Sequence, residues 1–194
     1  MPTPGLEAVV LAAGRSSRAG AFKPALDCGG LPLIARVTRA FQPLCSTVWV
    51  VTGYRAAEVE RLVAGERRVV TVFNACWEEG MFASVKAGLS RSTAARVFVS
   101  PGDLPLISRS AVARLAEAAG RLVVPVWGGR SGHPILLSRA LVEEVLRVPG
   151  ASNLRDALAG IGRTEVPVDD DGILRDVDTY PDYTAISGRR GQRG

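Results

Sequence analysis

The chain has 194 residues, the length of one compact domain, and its 47% hydrophobic and 22% charged content is that of a folded globular protein, which excludes disorder, collagen and coiled coil as its dominant state. Of the net charge of +5, three arginines (Arg189, Arg190, Arg193) sit in the closing GRRGQRG, and the first 187 residues carry 21 basic against 19 acidic side chains, too even a balance to mark a nucleic-acid binder. No apolar run approaches the roughly 18 residues of a membrane helix, the start MPTPGLEAVVLAAGR lacks the basic end of a signal peptide, and Cys28, Cys45 and Cys76 show no CxxC spacing, so the expectation is a cytoplasmic protein whose cysteines act as small hydrophobes.

The first element in chain order is a strand in LEAVVLAAG, followed by a helix over 32–43, a strand in STVWVVTG and a helix over 55–64. RVVTVFN, MFASVKAGLSR, ARVFVSPGD, SRSAVARLAEAAG and RLVVPVW continue the alternation as strand, helix, strand, helix, strand. Repeated βα units imply a parallel sheet, and the nearly continuous apolar strands imply helices on both faces. After residue 127 the rhythm changes. GGRSGHPILLS reads as a turn plus strand, 139–147 as a helix, NLRDALAG as a short helix, TEVPV as a strand, DDDG as a turn, and a last helix starts near Pro181. The domain is expected over 1–187, with 188–194 a disordered tail.

Charge is unevenly spread at the front. Between residues 8 and 57 the one acid is Asp27, against Arg15, Arg18, Lys23, Arg36, Arg39 and Arg55, which favours a small anionic ligand there. The first strand runs into LAAGRSSRAGAFKP, where small residues let backbone amides approach phosphates while Arg15, Arg18 and Lys23 supply charge. This segment is neither GxGxxG nor GxxxxGK[ST], and a connecting turn is the local alternative. Lys23 and Lys86 are the only lysines among 24 basic residues; a point charge retained at 23 fits a phosphate site, whereas Lys86 reads as part of a solvated helix face.

Asp103, in SPGDLPLIS, follows an apolar strand at the place where open α/β sheets bind ligands, and suits magnesium, which takes one or two carboxylates and completes its shell with water and phosphates. Asp176 and Asp178 of RDVDTYPDY are the candidates for a second carboxylate; the alternative is a capped turn at Asp103 and a solvated acidic loop at 176–182, the class to which Asp169, Asp170 and Asp171 are assigned. In NACWEEGMFASVKAGL, Asn74, Gly80 and Ser84 either present polar groups at a helix start or cap that helix. His133, the sole histidine, either orients substrate or fills a turn. Trp49, Trp77 and Trp127 are too far apart for a stacking platform and are read as core or rim packing.

With these residues in view, the chain resembles the MobA-like nucleotidyltransferases, and within them the molybdenum cofactor cytidylyltransferase branch. The family's opening LAAGxSxRxGxxK is met by Leu11, Ala12, Ala13, Gly14, Ser16, Arg18, Gly20 and Lys23, and NACWEEGMFASVKAGL, PGDLP, SGHPILLSR and DVDTYPDY follow in the family's order. The resemblance implies a three-layer α/β/α fold of the nucleotide-diphospho-sugar transferase (Rossmann-like) type with a mostly parallel sheet. It also implies magnesium, a nucleoside triphosphate, and transfer of a nucleoside monophosphate to the phosphate of a small acceptor with release of pyrophosphate. By that likeness Arg15, Lys23 and Asp103 are catalytic. Leu11, Ala12, Ala13, Gly14, Arg15, Ser16, Arg18, Lys23, Asn74, Gly80, Met81, Ser84 and Gly102 contact the nucleotide, Gly132, His133 and Pro134 the acceptor, and Asp103 holds the metal with Asp178 or Asp176. Ala13, which makes the loop LAAG and not LAGG, goes with cytosine and favours CTP over GTP. The implied acceptor is molybdopterin and the implied recipient a molybdoenzyme. The chain departs from the family at Ala19, where methionine is usual, and at 150–155, where the aspartate of GDxGAR is absent. The alternatives are a phosphorylated sugar or alcohol as acceptor, a GTP-using molybdopterin guanylyltransferase, and a non-catalytic cofactor-delivery protein.

Overall fold

The structure is a computed structural model and describes residues 5–15, 22–149, 153–177 and 182–183. Ser16, Arg18, Ala19, Gly20 and Asp178, the 150–152 segment and the 188–194 tail, all singled out in the sequence, lie outside the described residues; of the last predicted helix, residues 182–183 are described and are helical.

β1 (Leu6–Ala12), β2 (Thr47–Thr52), β3 (Val69–Phe73) and β4 (Arg96–Pro101) are parallel, with α1 (Leu33–Phe41), α2 (Ala56–Val63) and α3 (Met81–Leu89) between them. α4 (Arg109–Glu117) leads to β5 (Leu122–Trp127), β6 (Arg130–Ser131), β7 (Ile135–Ser138), α5 (Arg139–Arg147), α6 (Leu154–Ala157) and β8 (Thr164–Pro167). The sheet order is β3-β2-β1-β4-β7-β5-β6, with β8 paired to β5. From β1 the chain steps outward to β2 and β3, then returns to β4 on the other side of β1, so the order reverses between β1 and β4. Above their carboxyl ends lies the crevice such a reversal creates.

Alternation along the strands splits the core in two. Ala8, Val10, Val48 and Val50 pack with α1, α2 and α4 around the Phe41 and Phe98 rings, whose centroids are 5.7 Å apart. Val9, Val51, Val97 and Val99 face the other way onto Phe82, Val85 and Leu89 of α3 and Leu141, Val142 and Val145 of α5. This is the α/β/α layering. Gly88 is required where α3 crosses β1: a Cβ there would sit 2.3 Å from a Val9 methyl. β3 is an edge strand and departs from the expected two-sided cover, its Phe73 being 60% exposed.

The sheet is mixed. β7 runs antiparallel between β4 and β5, and β6 antiparallel to β5, while β8 is parallel to β5. Gly128 (φ 56°) and Gly129 (φ 76°) form the two-residue turn joining β5 to β6, both in the left-handed region such a hairpin demands. The single predicted strand in GGRSGHPILLS is therefore two, interrupted by Gly132, His133 and Pro134. Cys28 and Cys45 are buried as expected, with burial pushing the Cys45 thiol up to about 12, but Cys76 is exposed. Lys86 is not on a solvated face: its ammonium lies 5.2 Å from the Phe82 ring centroid and donates to the Val148 carbonyl, tying α3 to the end of α5. Among the described residues no helix is long and apolar enough to cross a membrane.

Candidate active site

A cleft of about 1070 Å³ opens at the reversal between β1 and β4. Its walls include Leu11, Ala12, Ala13, Gly14 and Arg15 from the loop after β1, with Lys23 beside them; Gly80, Met81 and Ser84 from the start of α3; Gly102 and Asp103 after β4; and Gly132, His133 and Asp176. Most residues singled out in the sequence thus converge on one place from segments far apart in the chain. Asn74 and Pro134 are not in the wall itself. Trp77, Glu78, Arg130, Ile173 and Leu174 line it without having been assigned to it.

Asp103 is placed by backbone. The Gly102 N–H donates to the Leu11 carbonyl at 2.9 Å, and a Cβ at Gly102 would lie 2.5 Å from that same oxygen, so only glycine lets the ends of β1 and β4 close up and carry Asp103 over the crevice. Arg36 Nε holds the Pro105 carbonyl at 3.2 Å, and the Asp103 carbonyl accepts from the Val177 N–H at 2.9 Å, which brings the Asp176 segment alongside. Lys23, only 8% exposed at the head of a 3-10 turn over Lys23–Ala25, sets its Nζ 3.3 Å from Asp103 Oδ2. A lysine from the first loop and an aspartate after β4 therefore meet as a half-buried ion pair in the cleft.

The donor set fits a hard divalent cation. Asp103 and Asp176 both line the cleft and offer carboxylate oxygens, while no group of three or more His, Cys, Asp or Glu suited to a metal exists among the described residues. Two carboxylates on a cleft of this kind suit a hard divalent cation that completes its shell with phosphates and water.

Arg15 lies across the Trp77 ring, 5.0 Å from its centroid, and donates to Glu78. Trp77 and Glu78 occupy the 3-10 turn Trp77–Glu79, which Gly80 (φ 111°) joins to α3, so the α3 N-terminus, with its free amides and positive dipole end, is presented beside the arginine. Neither Asn74 nor Ser84 caps that helix. Instead Asn74 Nδ2 donates to Ser84 Oγ at 3.0 Å while its Oδ1 accepts from the Cys76 N–H, a buried pair stitching the end of β3 to α3. Trp77 belongs to the rim, as one of the readings of the tryptophans had it. Its pairing with Arg15, 62 residues earlier, has no local signature.

His133 turns inward. Its N–H donates to the Ile173 carbonyl at 3.0 Å, and the close approach is allowed by Gly132, where a Cβ would meet the same oxygen at 2.4 Å. Its Nδ1 is buried, with no hydrogen-bond partner among the described residues. Burial pushes its pKa below the usual histidine value and Asp176 pulls it partly back, which favours the neutral imidazole at pH 7.

The comparisons bear on family and fold. The family model for the MobA-like NTP transferase domain matches residues 8–166. Molybdenum cofactor cytidylyltransferase of Escherichia coli K12 is 28% identical over 186 residues, covering 95% of this chain and 96% of that protein. A molybdenum cofactor guanylyltransferase of Pseudomonas aeruginosa is 32% identical over 147 residues, covering 71% of this chain and 70% of that protein. Among solved structures, a nucleotidyl transferase from Methanothermobacter superposes with a TM-score of 0.82 at 26% identity, over 94% of this chain and 96% of its own.

Proposed function

The chain belongs to the MobA-like NTP transferase family, and from that premise we propose that it moves CMP from CTP onto the phosphate of molybdopterin or its molybdenum-loaded form, with release of pyrophosphate. It is a nucleotidyltransferase. The observation that carries the phosphoryl-transfer chemistry is the meeting of Lys23 and Asp103 in the cleft at the β1/β4 reversal.

The acceptor phosphate is already anionic and needs no general base to attack the α-phosphorus. The work is to hold two mutually repelling anions in line and to stabilise charge as it moves onto the departing pyrophosphate. Lys23, Arg15, the amides of the Ala13–Gly14 turn and the α3 N-terminus supply positive potential on one side. Magnesium, held by Asp103 with Asp176 or Asp178, would add a Lewis acid and a template for the phosphates. Gly80 leaves the start of α3 open to a ligand, and Gly132 and His133 line the cleft on the side assigned to the acceptor.

CTP is favoured over GTP on two grounds. Ala13 is buried beside Gly53 and lines the cleft, and the LAAG loop it makes is the variant that the resemblance links to cytosine. The likeness to the cytidylyltransferase also runs the length of the chain, whereas that to the guanylyltransferase covers 71% of it. The acceptor is read from the names of those relatives, and a molybdoenzyme would receive the product.

The test is a pyrophosphate-release panel crossing the four ribonucleoside triphosphates with molybdopterin and several sugar phosphates, with and without magnesium. The expected maximum is CTP with molybdopterin plus magnesium. A maximum with GTP would overturn the base assignment, and one with a sugar phosphate the acceptor.

A further inference from the structure

The carboxylate of Asp170 makes two bonds to backbone amides of two different segments next to the cleft. Oδ2 accepts from the Ser108 N–H at 2.7 Å and Oδ1 from the Gly172 N–H at 2.9 Å. Ser108 caps α4 and ends the loop that begins at Asp103; Gly172 lies in the 3-10 turn Asp171–Leu174 that precedes Asp176. One side chain thus joins the segment behind one candidate metal ligand to the segment ahead of the other.

The joint is tight. A Cβ on Gly172 would sit 2.3 Å from the Leu106 carbonyl, so the turn presses directly on the Asp103 loop. At the far end of the segment Val177 N–H reaches the Asp103 carbonyl, and in the middle the Ile173 carbonyl accepts from His133 N–H. Asp176 is exposed, so its placement depends on how the backbone around it is anchored. The neighbouring acids do not do this: Asp169 is exposed, and Asp171 pairs with Arg175 at 2.7 Å.

We propose that Asp170 is a positioning residue that clamps the 171–177 segment onto the Asp103 loop and so sets the spacing at which Asp103 and Asp176 take a divalent cation. The inference rests on the reading that these two aspartates hold the metal. Residues that orient metal ligands change metal affinity by roughly 10- to 100-fold when removed. Alanine at 170 leaves both amides without their acceptor. Asparagine keeps one oxygen and turns an N–H₂ toward the other amide, so it restores half of the clamp.

The experiment titrates manganese(II) alone into the full chain by electron paramagnetic resonance, and in parallel follows amide exchange over 171–177. Asp170→Ala is expected to weaken manganese binding by roughly 10- to 100-fold and to speed exchange over that segment, with Asp170→Asn between it and the parent chain. Asp169→Ala and the metal-free affinity for CTP are expected to be unchanged. Wild-type manganese affinity in Asp170→Ala overturns the proposal, whether or not exchange speeds up, and so does an equal loss of metal-free CTP binding, which would signal general loosening. Should Asp170→Ala fail to fold by circular dichroism, Asp170→Asn decides: parental manganese affinity in that variant overturns the proposal. Asp103→Asn keeps the two failures apart. If it binds manganese as the parent does, the metal reading itself falls; if it loses manganese while Asp170→Ala keeps it, only the clamp falls.

Discussion

Replacing Lys23 with methionine keeps most of the side-chain volume in a position that is 8% exposed and removes only the charge. The ammonium sits 3.3 Å from Asp103 Oδ2, and two effects of opposite sign follow. A cation at that distance opposes the arrival of another. At about 4 Å a unit charge interacts by roughly 1 kcal/mol in water and about 4 kcal/mol at an effective dielectric constant near 20. The Lys23 side chain is 10% and the Asp103 side chain 27% exposed, so the bulk-water figure is a floor, and manganese affinity is expected to rise by at least roughly fivefold in Lys23→Met. Turnover moves the other way. The charge that stabilises the triphosphate and the leaving pyrophosphate is lost, which typically removes about 3 kcal/mol of transition-state stabilisation, on the order of a hundredfold in rate. Manganese titration of the resting protein and pyrophosphate release at saturating metal measure the two effects separately. Weaker metal binding together with parental turnover would refute the reasoning, since it would mean that Lys23 supports Asp103 and does nothing for the phosphates.

Asp103→Ala is expected to reduce magnesium-dependent pyrophosphate release by at least about a hundredfold, and parental kinetics in the purified variant would contradict its assignment. Gly102→Ala drives a Cβ to 2.5 Å from the Leu11 carbonyl, so thermal denaturation should show a loss of about 1–3 kcal/mol, with activity falling alongside because Asp103 is displaced with it. Ser84→Ala breaks the buried 3.0 Å bond from Asn74 and should lower the melting temperature by a few degrees while changing kcat/KM less than about tenfold, since one neutral hydrogen bond contributes about 0.5–1.5 kcal/mol. The hydrogen bonds from Arg39, with Gln42 adding to them, hold the Glu66 carboxyl below its usual value against the opposing effect of burial. The unfolded chain therefore takes up that proton first on acidification. The stability Glu66 contributes is present above its unfolded pKa and is lost as pH falls through the folded one, so Glu66→Gln should show a shallower acid decline in melting temperature below about pH 4.5 than the parent chain.

Local pattern was enough to find β1, the loop behind it and Asp103, because β-branched runs ending in small residues mark where a parallel strand delivers its loop. The position of β7 was not legible. Its apolar run Ile135–Ser138 is compatible with either direction, and its place between β4 and β5 is decided by long-range pairing that no short window contains. The same holds for Arg15 with Trp77 and Glu78, brought together by tertiary structure alone. Lys86 misled because helical spacing shows which face a residue is on, not which chain end arrives to cover it. Asp170 misled for a different reason: in an acidic run of three, the residue whose carboxylate meets two amides has the same local signature as its solvated neighbours.

The hydrogen bond from Val177 to the Asp103 carbonyl also bears on how the protein is made. On the ribosome the lysine loop and Asp103 emerge long before the segment that walls them in, and pairings between such distant stretches form late because closing a large loop is entropically unfavourable. A nascent chain halted between Asp103 and Asp176 would bear the charged floor of the crevice but not its roof, so premature termination there should yield inert fragments and no partly working enzyme.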